Sequence, residues 1–185
     1  MIHKIVERIK LLIHVKIKHK KPMDYYIDKW RKSGITIGDN CYFCCQLPVG
    51  RDSCLLSFGD NVLVSSGVLF LMHDAAPTTV SKGKGTDYLG KVTIGNSCFI
   101  GAHSIIMPGV SLADYTVVGA GSVVTHSTQE PGFIIAGNPA KVICTVEEYL
   151  RKNEKYTVNL DGMNLEDIRS FSKQNPDKLI TRSCY

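Results

Sequence analysis

Between Ile94 and Val124 an aliphatic residue returns at every sixth position: Ile94, Ile100, Ile106, Leu112, Val118 and Val124. A helix repeats at 3.6 residues and a half-buried strand at 2. Six is a multiple of two, so the stretch can be strand-like. A plain strand, however, carries no small residue at a fixed phase. Here Gly95, Gly101, Ala113 and Gly119 each follow the aliphatic, and Pro108-Gly109 marks a corner. So short a period predicts a coil of near-identical sides. Three six-residue sides make a triangular turn of 18 residues with its aliphatics inward. Stacked turns bury a continuous column that no single turn could bury.

The rhythm extends upstream. One frame runs Ile37, Phe43, Val49, Leu55, then slips by three to Phe58, Val64, Phe70. Between Phe70 and Ile94 the phase positions are Ala76, Lys82 and Tyr88, around the polar run SKGKGTDY. Residues 74–91 are therefore expected as a loop thrown out from the coil, and repeat folds place such insertions on a binding face. Residues 2–19 space Ile, Val and Leu by three and four among lysines, which describes an amphipathic helix. Pro22 should interrupt it, and residues 23–32 read as a second short helix stopped at Ser33-Gly34. TVEEYLRKNEKY and NLEDIRSFSKQ read as helices, the first with Thr145 as a cap. The expected organisation is a basic helical arm over 1–33, a β-helix over 34–143 and a helical extension over 144–185.

At 44% hydrophobic and 21% charged, the 185 residues can bury a real core. No apolar run is long enough to span a membrane, and no signal-peptide pattern opens the chain. Seven cysteines without two matched CxxC pairs argue against structural zinc. Free thiols acting as small core residues fit a reducing cytoplasm. Residues 1–34 hold ten Lys/Arg against three acids, while the rest holds twelve against fourteen. The basic character thus belongs to the arm. Residues 1–21 could meet an anionic membrane surface or pack on the coil. Nucleic acid is a poor partner, because nothing beyond the arm is basic and no binding motif appears.

The runs IGNSCFIGAHSIIMPGVSLADYTVVGAGSVVT and AGNPAKVI resemble the hexapeptide-repeat acyltransferases, over roughly residues 34–145. Among these the chain looks most like the sugar and polysaccharide O-acetyltransferases. The resemblance implies a left-handed parallel β-helix, a hand that spacing alone does not give. It also implies homotrimers with acetyl-CoA lying in grooves between neighbouring coils, and no metal.

Acetyl transfer to a hydroxyl needs a base for the acceptor proton, usually a histidine. His3, His14 and His19 fall in the basic arm. His73 ends the frame VLFLM and opens the loop, which is where the resemblance places the catalytic base. His103 reads as an outer-wall side chain, and His126 stands where the family commonly has lysine. Asp74 could touch the acceptor or cap the loop. By resemblance Ala102 and Ala120, one coil apart, would meet the pantetheine arm of CoA. Thr125 would add a polar contact, and Lys141 would meet the nucleotide phosphates. Maltose-type relatives hold their acceptor with an asparagine upstream of the histidine. That neighbourhood here reads CYFCCQL, so the acceptor is not expected to bind in that way.

The expected activity is O-acetylation of a sugar hydroxyl in a cell-surface polysaccharide or its precursor, in the cytoplasm. Antibiotic or serine acetylation, amino-sugar N-acylation and a silent scaffold stand as alternatives. A zinc carbonic anhydrase of the same coil type needs three converging histidines, and His103 has no histidine within ten residues.

Overall fold

The computed structural model describes Lys10 and residues 22–182. The helix expected over residues 2–19, His3, His14, His19 and Cys184 lie outside the described residues. Helix α1 (Pro22–Lys32) buries Ile27 and Trp30 on the end of the coil. Its basic last turn, Lys29, Arg31 and Lys32, complements the helix dipole.

Thirteen short strands then wind round a triangular prism. Sheet A stacks β1 (Thr36–Ile37), β3 (Leu56–Phe58), β8 (Val92–Ile94) and β11 (Ser111–Leu112). Sheet B begins with β2 (Tyr42–Phe43), β4 (Leu63–Val64), β9 (Phe99–Ile100) and β12 (Val117–Val118). It continues through β14 (Phe133–Gly137), and β15 (Ala140–Thr145) closes it antiparallel. Sheet C is β5 (Leu69–Phe70), β10 (Ile105–Ile106) and β13 (Val123–Val124). Apart from that last hairpin, every pair along the three walls is parallel. These are the stacked sheets of a left-handed β-helix of hexapeptide repeats.

The inward residues form the expected column: Ile94, Ile100, Ile106 and Val118 are at most 1% exposed. At the base of the prism it turns aromatic. Trp30, Phe43, Phe58 and Phe70 stack edge to face with centroids 5.1 to 5.3 Å apart. Each corner needs one residue with left-handed backbone. Asn40, Asn61, Ser97 and Tyr115 supply it between sheets A and B, and Gly67, His103 and Gly121 between B and C. A side-chain ladder ties the first of these corners from coil to coil. Asp39 N–H donates to Asp60, Asp60 N–H to Asn96, and Asn96 N–H to Asp114, all within 2.8 Å.

The upstream frame differs from the expected one. Val49 is 59% exposed and Leu55 half-buried, while Leu47 takes an inward place. The chain carries three extra residues here, so Ile37 pairs with Phe58, 21 positions on, whereas Ile94 pairs with Leu112, 18 on. The three faces also differ outside. In-register outward residues on sheet A are Thr36, Ser57, Thr93 and Ser111. On sheet B they are Tyr42, Leu63, Phe99 and Val117, and on sheet C Leu69, Ile105 and Val123. One wall is hydroxylic and two are apolar.

Helices α2 (Val146–Asn153) and α3 (Leu165–Gln174) follow the coil. Thr145 and Glu148 form a reciprocal capping box at the start of α2. Among the described residues no helix is long and apolar enough to cross a membrane. Cys41, Cys44, Cys45, Cys54, Cys98 and Cys144 are free thiols. Burial pushes the Cys98 thiol up to about 11, so it packs as a small neutral side chain.

Candidate active site

His73 leaves sheet C three residues after Phe70, where the chain turns outward. With Asp74 it forms β6 (His73–Asp74), which pairs antiparallel with β7 (Tyr88–Leu89) across the extruded loop. Gly90 N–H donates to Met72 C=O at 2.8 Å, so the limbs of the loop close at the wall of the prism. Within the loop Thr78 Oγ1 donates to Thr86 C=O and Ser81 Oγ to Gly85 C=O, each at 2.8 Å.

The imidazole of His73 is 52% exposed and its Nδ1 lies 2.6 Å from Asp52 Oδ2. This bond, more than anything else, raises the His73 pKa above that of a free imidazole. The Asp87 carboxylate raises it further, while the Arg51 cation opposes. Reciprocally, the bond to His73 holds the Asp52 carboxyl below the usual range. With Nδ1–H donating to the carboxylate, Nε2 keeps its lone pair free toward solvent. The bend carrying Asp52 is fastened from inside: Ser53, 1% exposed, accepts from Gly50 N–H and donates to Gly50 C=O, both at 2.8 Å.

Asp52 escaped the sequence reading, yet a signal was there. The slip by three makes this coil 21 residues long, and Asp52 stands 21 before His73. Positions one coil apart stack, so that slip set the aspartate against the histidine.

A cavity of about 590 Å³ opens beside the pair, lined by Arg51, Asp52, Leu55, His73, Asp87 and Leu89 among others. A larger cavity, about 710 Å³, lies between α1 and the first coil and holds no histidine. Only the first has a base of matched chemistry. Among the described residues no three His, Cys, Asp or Glu side chains cluster as metal ligands would.

The remaining residues singled out from sequence fall at separate places. Asp74 turns into the loop, where Oδ1 accepts from Ala76 N–H at 2.8 Å. Ala102 and Ala120 stack at the corner between sheets B and C, where Gly121 N–H donates to Ala102 C=O. A Cβ on the neighbouring Gly101 would fall 2.5 Å from Ala120 N, so position 101 has no room for a side chain, while Ala102 is half-buried and Ala120 exposed. Lys141 joins the same corner from β15, paired with Ala136, which in turn stacks on Gly119. Thr125 instead follows β13 on the far edge of sheet C, the His73 edge, with Oγ1 2.8 Å from His126 Nδ1. In one chain, then, His73 and the Ala102–Ala120–Lys141 corner stand on opposite edges of sheet C. His103 lies over Gly67, its ring 2.4 Å from where a Cβ there would fall.

Residues 91–126 match the family model described as bacterial transferase hexapeptide (six repeats). Protein CapG of Staphylococcus aureus is 40% identical over 140 residues, 72% of this chain and 81% of CapG. The galactoside O-acetyltransferase of Escherichia coli (strain K12) is 35% identical over 63% of this chain and 56% of its own. The crystal structure of a maltose O-acetyltransferase from Clostridium difficile 630 superposes with a TM-score of 0.52 at 31% identity. That match covers 61% of this chain and 59% of the other. The chain thus spans less than three-fifths of the length of either sugar acetyltransferase. With four-fifths of CapG matched and the stacked coils of the fold in place, this chain belongs to the hexapeptide-repeat acetyltransferase family.

Proposed function

We propose that the chain is an acetyl-CoA-dependent O-acetyltransferase, with His73 as general base and Asp52 as its positioning residue. The observation that carries this is an accessible imidazole, oriented through Nδ1 by a carboxylate, at the mouth of a cavity. The acceptor is a sugar hydroxyl of a cell-surface polysaccharide or its precursor, and the site of action is the cytoplasm. Two similar proteins, a galactoside and a maltose O-acetyltransferase, support a sugar.

The reaction needs one proton relay. The acceptor hydroxyl gives its proton to His73 Nε2 as its oxygen bonds the acetyl carbon. The carbon–sulfur bond breaks, and the sulfur leaves with that electron pair and takes the proton back from the imidazole. Throughout, Asp52 holds the ring in one tautomer and steadies the imidazolium.

The acetyl-CoA arm runs along Ala102 and Ala120 toward Lys141, with Thr125 and Asp74 serving, respectively, cofactor and loop. Because that corner and His73 occupy opposite edges of sheet C, the arm reaching one His73 is held by a neighbouring copy. A homotrimer meets this need, and the two apolar walls of the prism supply two different contact surfaces, as a closed ring requires. Residues 1–21, basic and amphipathic in sequence, are the segment suited to peripheral contact with an anionic membrane or to packing on the coil.

Mixed assemblies test both parts. His73→Ala and Ala120→Trp chains should each be inactive when pure, read as thiol release from acetyl-CoA with a sugar acceptor mixture. Co-expressed, they should regain about a quarter of wild-type activity, the share of sites built from one intact histidine and one intact corner. Activity in pure His73→Ala would sink the base assignment. An inactive mixture would sink the shared site.

A further inference from the structure

Two charged side chains line the His73 cavity with no hydrogen bond or ion pair among the described residues, Arg51 acting only through space on Asp52 and His73. Arg51 comes from the bend fastened by Ser53, and Asp87 from the returning limb of the loop, between the Thr78–Thr86 tie and β7. Both sit on braced backbone. Among the described residues neither makes a hydrogen bond or an ion pair, and they do not pair with each other. Yet both act on the imidazole through space, with opposite signs. Asp52, the third charge in the cavity, is already engaged by His73.

A molecule filling this cavity strips water from a guanidinium and from a carboxylate. Each must then be matched by the ligand, because a desolvated charge left alone is costly. Carboxylate and phosphate match the planar fork of an arginine through two parallel hydrogen bonds, which a neutral hydroxyl cannot do. Asp87, an acceptor only, is matched by hydroxyl donors. Of the rest of the lining, Leu55 and Leu89 offer apolar surface to the face of a sugar ring, beside Gly50, Cys54 and Thr86.

We propose that the acceptor is an acidic sugar, with a carboxylate or phosphate near the hydroxyl that is acetylated. Arg51 holds the acidic group, and Asp87 takes neighbouring ring hydroxyls. This rests on the acetyl-transfer reading of His73 and adds the class of acceptor. A neutral sugar would reach the same base but leave the guanidinium unmatched.

Binding, rather than turnover, gives the direct test. The full chain, saturated with CoA, is titrated by ligand-detected NMR with methyl β-D-glucoside, methyl β-D-glucuronide and glucose 6-phosphate. At least one acidic sugar should bind about tenfold more tightly than the neutral one, and whichever does identifies carboxylate or phosphate. Arg51→Gln should abolish that preference, with Arg51→Lys retaining part of it. Asp87→Asn should weaken all three sugars alike. Equal binding of neutral and acidic sugars, or a preference that survives in Arg51→Gln, overturns the proposal. So does failure of both acidic sugars to bind a chain that still binds CoA, in which case the transferase reading stands. A chain that does not bind CoA at all fails at that earlier step.

Discussion

His73 Nδ1 and Asp52 Oδ2 meet at 2.6 Å across one coil of the prism. The carboxylate fixes which nitrogen of the ring is free, and it also raises the pH at which that nitrogen becomes a base. Asp52→Asn should therefore act in two directions. kcat/KM should fall, by up to about 10⁴-fold, as when the carboxylate orienting a catalytic histidine is lost. The acid limb of the pH–rate profile should move to lower pH, because the group raising the imidazole pKa is gone. A profile that drops in height without moving would leave Asp52 a packing residue.

The same pair predicts how stability varies with pH. His73 has a raised folded pKa, so its contribution is complete below the ordinary imidazole value and lost as pH rises through the raised one. Asp52 has a depressed folded pKa, so its contribution is complete above the ordinary carboxylate value and lost as pH falls through the depressed one. The melting-temperature gap between wild type and Asp52→Asn should be widest between about pH 4 and 6.5. It should narrow on either side. Asp114, also held low by Asn96, loses stability in acid in both proteins and leaves the gap untouched.

Phe58 stands in the middle of the aromatic stack, in edge-to-face contact with Phe43 below and Phe70 above. Phe58→Ala should destabilise the chain by about 3–5 kcal/mol, read as a lower urea midpoint. A loss under about 1 kcal/mol would mean that neighbouring rings collapse into the space.

The walls of the prism predict an asymmetric response to charge. Phe99 lies outward on apolar sheet B and Thr93 outward on hydroxylic sheet A. Phe99→Lys should shift the assembly toward monomer in sedimentation, while Thr93→Lys should leave it intact. The reverse pattern would put the contact surface on sheet A.

Much of this was legible in the residues, and the exceptions have physical causes. The column Ile94, Ile100, Ile106, Leu112, Val118, Val124 was plain because every side there has the same length. The frame misled at Val49 and Leu55, since an apolar residue in phase says nothing about a bend that carries the chain out of phase. Asp52 was missed for the same reason: its contact follows from the length of one irregular coil. Also unread was the antiparallel return of β15, which sets Lys141 opposite Ala136. No hexad marks that reversal. The opposite-edge placement of His73 and Ala102 needed the handed path of the chain, which a one-dimensional pattern does not contain.

The loop between Met72 and Gly90 leaves and rejoins the wall at adjacent points, bridged by one hydrogen bond. Residues 74–91 number 18, one regular turn, so without them Phe70 and Ile94 would stand six positions apart and the inward register would be unbroken. Its length and sequence are thus free to drift without disturbing the column that stabilises the fold. In the proposed function His73 stands at the root of this loop, held by Asp52 on the coil, while Asp87 rides on the part free to change. Rewriting that one peripheral segment would change what faces the cavity from the Asp87 side and leave Arg51 and the Asp52–His73 pair where the coil holds them.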